Sequence, residues 1–231
     1  MGKRADIRAR RERAKRRQKF ISIGAVLAGL ILIGVVIAMV ISGQTNAENV
    51  IDDIIMPEKH ERPMVNGSSM GDPNASVKVN EFSNFECGHC KTFAEGAESY
   101  IASTYIETGD VYLTYVPFTW TESAAKASEA AYCAMDQGQF WEYHDVLFAN
   151  QTNTALPGFN NAVLFAMAEK LGLDSSTFEK CLTSGKHSNQ VAKDSLFAQE
   201  QGATGTPTFD VNGVLVFTDG LEDAIKTALG R

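Results

Sequence analysis

The longest feature in the hydropathy pattern is Phe20–Ser42, 23 residues without a charged side chain. As a helix rising about 1.5 Å per residue it spans roughly 35 Å, enough for a hydrocarbon core of about 30 Å with some tilt. Residues 43–72 lack such a run. They are polar and broken by Pro57, Pro63, Gly67 and Gly71, which reads as a linker, with a short apolar patch at Val50–Met56 that reads either as a helical turn or as a transient docking segment. A globular region begins near residue 73. Ser76–Phe82 alternates with period two and puts Val77, Val79 and Glu81 on one face of a strand. Cys90–Thr108 reads as a helix stopped by Gly109. Asp110–Phe118, rich in β-branched and aromatic residues, predicts a second strand ending near Pro117.

Residues 121–202 show helical spacing only. Phe140, His144, Leu147 and Phe148 share one stripe; Leu164, Met167, Ala168 and Leu171 share another. Asp174 is placed to cap a helix carrying Phe178, Cys181 and Leu182, and Gly185 to stop it. The pattern then returns to strands. Thr208–Val211 and Val214–Phe217 flank Asn212-Gly213, the pair a tight type I′ hairpin prefers. A last helix runs over Leu221–Leu229. The order is β-α-β, a block of helices, then β-β-α.

Charge separates the ends of the chain. Residues 1–19 hold ten Lys or Arg against Asp6 and Glu12, a net +8, whereas the whole chain is −7, so residues 20–231 carry −15. A basic run abutting an apolar span predicts a cytoplasmic N-terminus and an extracytoplasmic body. A nucleic-acid-binding arm fits poorly beside a span and an acidic body, so no nucleic-acid partner is expected. A cleaved signal peptide is the rival, but its apolar core usually runs ~7–15 residues. The expectation is a single-pass, uncleaved anchor in the cell membrane, with the lipid bilayer as a partner.

All four cysteines, Cys87, Cys90, Cys133 and Cys181, follow the span and so fall in an oxidising compartment. Cys87-Gly88-His89-Cys90 lies between a strand end and a helix start. Zinc usually takes four ligands, and only one close pair exists, so no metal is expected. A structural disulfide over so small a loop gains little chain entropy. A redox pair fits better. The helix N-terminus favours a thiolate at Cys87, His89 adds a donor or positive charge, and Gly88 leaves the first sulfur accessible.

Strand–CxxC–helix, a helical insertion, and Gly205-Thr206-Pro207-Thr208 before a hairpin and final helix resemble the thioredoxin fold. With the insertion, the chain is similar to the DsbA-like family of extracytoplasmic thiol–disulfide oxidoreductases over about residues 72–231. The fold expected is α/β and thioredoxin-like, with helices inserted at about 121–202 and one transmembrane helix in front. The resemblance implies that Cys87 is the exposed nucleophile and Cys90 the resolving thiol. It implies that Pro207 is a cis-proline facing them, with Thr206 offering backbone groups to an extended substrate. It implies that Glu81 is a buried acid able to take the Cys90 proton. The two remaining cysteines suit a structural Cys133–Cys181 disulfide or two separate buried thiols.

The implied activity is oxidation of cysteine-containing exported proteins, with no cofactor beyond the redox-active disulfide. Reoxidation by a quinone-linked membrane partner of the DsbB or vitamin-K-epoxide-reductase type is implied with it. Two rivals use the same pair, as a reductase or isomerase, or as soft ligands in a non-enzymatic metal-binding module. Trp120, Phe140, Trp141 and Tyr143 are expected in the core. His60, His144 and His187 gain no partner from the pattern and are expected to be structural or exposed.

Overall fold

The structure, a computed structural model, describes residues 33–35 and 50–231. The basic tail at 1–19 lies outside the described residues, as do the span at 20–42 apart from 33–35, and 43–49 of the linker. Residues 33–35 are helical and exposed. Among the described residues no helix is long and apolar enough to cross a membrane.

Residues 50–231 build one sheet with helices against it. The strands are β1 Ser69–Met70, β2 Val77–Ser83, β3 Val111–Pro117, β4 Thr208–Val211 and β5 Val214–Val216, in the order β1-β3-β2-β4-β5. β2 and β3 are parallel, with Glu81 beside Tyr115, and β4 runs antiparallel to β2, with Phe209 on the other side of Glu81. The parallel pair requires a crossover, supplied by helix α1. This helix starts at Gly88–Thr92 and continues through π-helical turns at Phe93–Ala97 and Ala102–Ile106, on either side of Glu98–Ile101. Gly109 ends it with φ +82°.

The insertion is five helices: α2 Glu122–Met135, α3 Phe140–Asn150, α4 Asn161–Lys170, α5 Ser175–Thr183 and α6 Ser188–Glu200. Asp174 caps α5 by accepting the Thr177 N–H at 2.7 Å. The final helix, α7, is Thr218–Ala228, and Asn212 and Gly213 take positive φ in the hairpin before it. Alternation along β2 sorts two cores. Val77 and Val79 join Leu113, Tyr115, Phe209 and much of α1, α3 and α7, whereas Phe82 and Val116 pack with Phe118, Ala198 and Ala203. Each large apolar side chain so buried contributes about 1.5–3 kcal/mol. Cys133 of α2 and Cys181 of α5 are joined by a disulfide with Cα atoms 5.9 Å apart.

Two expectations need correcting. Residues 50–72 do not behave as a linker. Ile54 is buried, and Asn150 pairs with both backbone groups of Ile55 at 2.8 Å. Gly71, at φ +102°, passes so close to Val111 that a Cβ would stand 2.5 Å from its carbonyl oxygen. The Arg62 side chain is 4% exposed and binds Glu98 of α1 and Asp145 of α3. Polar, turn-rich composition marks irregular backbone, which here is docked backbone. Trp120, expected in the core, is 61% exposed and touches Phe118 edge-on at 5.4 Å. It follows the strand in a loop where no periodic pattern assigns it a face.

Removing the cation from a buried pair leaves unpaired buried carboxylates. Arg62→Met is therefore expected to cost about 3–5 kcal/mol in chemical denaturation. A loss within ~0.5 kcal/mol, typical of surface positions, would contradict the docking of this segment.

Candidate active site

The site is assembled where β2 runs into α1. Asn84 shapes the connection. Its Oδ1 accepts the Glu86 N–H at 2.8 Å, its carbonyl accepts the Cys87 N–H at 2.9 Å, and its Nδ2 donates to the Phe118 carbonyl at 3.0 Å. Thr121, the cap of α2, donates to Glu86 at 2.6 Å. Cys87 is thereby left in extended backbone as the first residue before the helix, half-buried, with Cys90 fully buried one turn on. Gly88 is exposed, and a Cβ there would meet no atom within 4 Å beyond its chain neighbours.

The two thiols are in opposite situations. A hydrogen bond from Cys90 favours the Cys87 thiolate most, and Thr206 and the backbone N–H groups of Cys90 and His89 add to it. Against partial burial, these lower Cys87 from 9.0 to about 5. The His89 ring is exposed, so what this residue brings to the sulfur is its main chain. Cys90 is pushed far up, first by burial and then by its hydrogen bond to Cys87. The Thr206–Pro207 bond is cis, and the Cys87 thiol donates to the Thr206 carbonyl at 3.2 Å. Sequence positions separated by 119 residues thus meet at one sulfur.

Glu81 lies in β2, fully buried, with neither carboxyl oxygen hydrogen-bonded. Burial raises its pKa from 4.5 to about 8, and the nearby Glu98 charge adds to this, while Ser83 and Arg62 oppose it. Tyr115 stands beside it across the β2–β3 register, its hydroxyl also without a partner.

Several participants escaped the sequence reading. Gln151, just past α3, donates to the Phe85 carbonyl at 2.7 Å and the Cys87 carbonyl at 2.9 Å, tying the insertion to the redox loop. Arg62 donates to Glu98 and, at 2.7 and 2.9 Å, to both oxygens of Asp145. His144, given no partner by the pattern and expected to be structural or exposed, is fully buried and lies 2.9 Å from Asp145 through Nδ1. A legible signal existed, since His144 shares its stripe with Phe140, Leu147 and Phe148. His187 contacts Asp136 at 2.8 Å, and His60 lies 3.4 Å from Ser99. Among the described residues the one group with metal-ligand spacing is Cys133, Cys181 and His187, and its two sulfurs are bonded to each other.

Comparison with known proteins agrees with this geometry. The thioredoxin family profile matches residues 64–229. A probable disulfide bond formation protein D of Bacillus cereus is 32% identical over 169 residues, 71% of this chain and 77% of that protein. The Na(+)/H(+) antiporter NhaA 3 of Salinispora tropica is 35% identical over 164 residues, which are 71% of this chain but 24% of that protein. The chain therefore spans under a quarter of the length of that antiporter. The crystal structure of oxidised BdbD from Bacillus subtilis superposes with a TM-score of 0.64 at 24% identity, covering 74% of this chain and 97% of BdbD. With a low-lying thiolate at a helix start, a buried second thiol and a cis-proline against the first, the chain belongs to the DsbA-like family of thiol–disulfide oxidoreductases on a thioredoxin fold.

Proposed function

We propose that the chain is a membrane-anchored dithiol oxidase that introduces disulfides into exported proteins through Cys87 and Cys90. The observation that carries this reading is the stabilised Cys87 thiolate. Whatever stabilises that thiolate stabilises the dithiol form, which makes the disulfide form the stronger oxidant.

The cycle starts from the Cys87–Cys90 disulfide. A substrate thiolate attacks the Cys87 sulfur. The Cys87–Cys90 bond breaks, and Cys90 leaves with the electron pair and takes up a proton. A second substrate thiolate then attacks the substrate sulfur of the mixed disulfide and expels Cys87 as a thiolate. Substrate loses two electrons and the chain gains them. Substrate backbone in extended form would lie along Thr206 and Pro207, where the main chain is already within reach of the sulfur. Reoxidation by a membrane partner of the DsbB or vitamin-K-epoxide-reductase type runs the exchange in reverse. In that direction Cys90 must lose its proton before it attacks the mixed disulfide on Cys87, and Glu81, a buried carboxyl raised to about 8, would be the base that takes it. The apolar span and basic tail support membrane attachment with the site outside the cytoplasm.

Cys87→Ala is expected to abolish disulfide formation in a reduced, unfolded substrate. Cys90→Ala is expected to accumulate mixed disulfides visible on non-reducing gels. Normal turnover by the Cys87→Ala protein would overturn the reading. A second expectation concerns pH. Because folding lowers Cys87 from 9.0 to about 5, the group adds stability to the folded dithiol as pH rises through that window. It loses this contribution as pH falls through about 5. The disulfide form has no such titration. Denaturation of both forms should show the dithiol gaining on the disulfide across the window, and a gap independent of pH would contradict it.

A further inference from the structure

The Cys133–Cys181 disulfide that ties α2 to α5 has a histidine and a carboxylate beside it. Cys133 lies in the last turn of α2, and Asp136 is the cap of that helix, three positions on. Cys181 lies near the end of α5. Gly185, at φ +63°, then turns the chain so that the Lys186 N–H returns to the Cys181 carbonyl at 3.2 Å, and His187 follows as the residue before α6. Two short-range pairs therefore meet, Cys133 with Asp136 and Cys181 with His187. Ligands supplied as two such pairs are the arrangement of a closed zinc site. The sequence argument against zinc concerned Cys87 and Cys90 and does not reach this place, where the two cysteines stand 48 residues apart in the chain.

One ligand atom from each of Cys133, Cys181 and His187 lies within 4.8 Å of the other two. Asp136 Oδ2 stands 3.7 Å from the Cys181 sulfur and 2.8 Å from His187 Nε2. Zinc bonds of about 2.3 Å to sulfur and 2.0–2.1 Å to nitrogen or oxygen, at tetrahedral angles, put ligand atoms roughly 3.3–3.8 Å apart. The Asp136 distances bracket that spacing. A disulfide sulfur carries no proton, so Asp136 gains no hydrogen bond from Cys181 while the bond is intact. Charge fits as well. Two thiolates and one carboxylate around a divalent cation leave one negative charge, and Lys186 Nζ, 2.7 Å from Asp136 Oδ2, offsets it. The sulfurs are buried, while the Asp136 and His187 side chains are 28% and 13% exposed, which gives a cation a way in.

We propose that, once a dithiol has reduced the Cys133–Cys181 disulfide, the two sulfurs, a ring nitrogen of His187 and the Asp136 carboxylate form a four-ligand site for zinc, which replaces the disulfide as the link between α2 and α5. The first thiolate of the dithiol attacks one of the two sulfurs, the Cys133–Cys181 bond breaks, and the other cysteine leaves with the electron pair and takes a proton. The second thiolate attacks its own sulfur in the mixed disulfide and expels the remaining cysteine, which is protonated in turn. The dithiol ends as a disulfide, and the chain holds two more electrons and two more protons. Zinc then displaces both thiol protons to solvent and takes the lone pair of the neutral imidazole. The insertion is stapled in either redox state, by a covalent bond in one and by the metal in the other. This inference does not depend on the direction of electron flow proposed for Cys87 and Cys90.

The test uses the full chain in detergent, with Cys87→Ser and Cys90→Ser so that Cys133 and Cys181 are the only thiols. The chain is reduced with dithiothreitol, freed of reductant without air, and titrated with Zn2+ in competition with a chromophoric chelator. About one zinc per reduced chain is expected, and none on the oxidised chain. Co2+ in place of Zn2+ should give a thiolate charge-transfer band and the intense visible bands of a tetrahedral site. His187→Ala and Asp136→Asn are each expected to weaken zinc at least about tenfold. Their oxidised forms keep the disulfide and should remain folded, which separates a lost ligand from a lost fold. A reduced chain that retains no zinc overturns the site. So does zinc held equally by the oxidised chain, or undiminished by both substitutions. If dithiothreitol frees the thiols only as the chain unfolds, the reduced chain is refolded with and without Zn2+. Zinc taken up and a higher unfolding temperature support the site; refolding that takes up no zinc overturns it.

Discussion

The cost of ionising a sulfur inside the sheet governs the rest of this structure. Cys87 and Cys90 sit one turn apart on α1, and the chain treats them oppositely. Cys87 stands at the helix start, where main-chain N–H groups point outward, and remains half-buried. Cys90 is sealed among Phe93, Tyr115 and their neighbours. A thiolate is affordable at the first and expensive at the second. This asymmetry assigns the attacked sulfur to Cys87. It also leaves Cys90 protonated until a base removes its proton, the role proposed above for Glu81, whose own burial raises it to about 8.

The inserted helices do more than enlarge the core. Gln151 holds the carbonyls of Phe85 and Cys87, so the residue after α3 fixes the entry to α1. The same helix supplies His144 and Asp145, whose partner Arg62 comes from a segment that wraps α3 on its way into β1. A buried guanidinium is tolerated because two carboxylates accept from it and Trp141 stacks against it at 4.7 Å. The thioredoxin-like sheet therefore carries the sulfur chemistry. The electrostatic setting beneath it is supplied by residues from the insertion and from the stretch in front of the sheet.

What could be read in advance follows from how far each signal reaches along the chain. The alternation of Val77, Val79 and Glu81, the CxxC at a helix start and the Asn212-Gly213 turn are local patterns, and the elements they predict are present within a residue or two. The pairing of Arg62 with Glu98 and Asp145 depends on separations of 36 and 83 residues, which no local pattern encodes. Arg62 is disguised by its setting among prolines and polar residues. Glu98 offered a trace, since it falls on the stripe of Cys90, Ala94, Ile101 and Tyr105, a place where a carboxylate must find a partner. The π-helical turns on either side of it shift that stripe and blur the period. Trp120 misled in the opposite sense, because an aromatic residue in a loop has no phase to betray exposure.

The depth to which Cys87 is stabilised also bears on the direction of electron flow. A thiolate that is ionised well below neutral pH is a weaker nucleophile than one poised near it, since intrinsic reactivity falls with basicity. It is correspondingly a better leaving group. A reductase must attack its substrate's disulfide with this sulfur, and stabilisation to about 5 slows that attack. An oxidase needs the sulfur to be attacked and then expelled, and the same stabilisation speeds the expulsion. Cys90, held protonated by burial, withdraws from competition in the forward direction and must be activated only when the disulfide is restored. The oxidase reading proposed for this site accords with that balance, since a stabilised Cys87 thiolate makes the disulfide form the stronger oxidant.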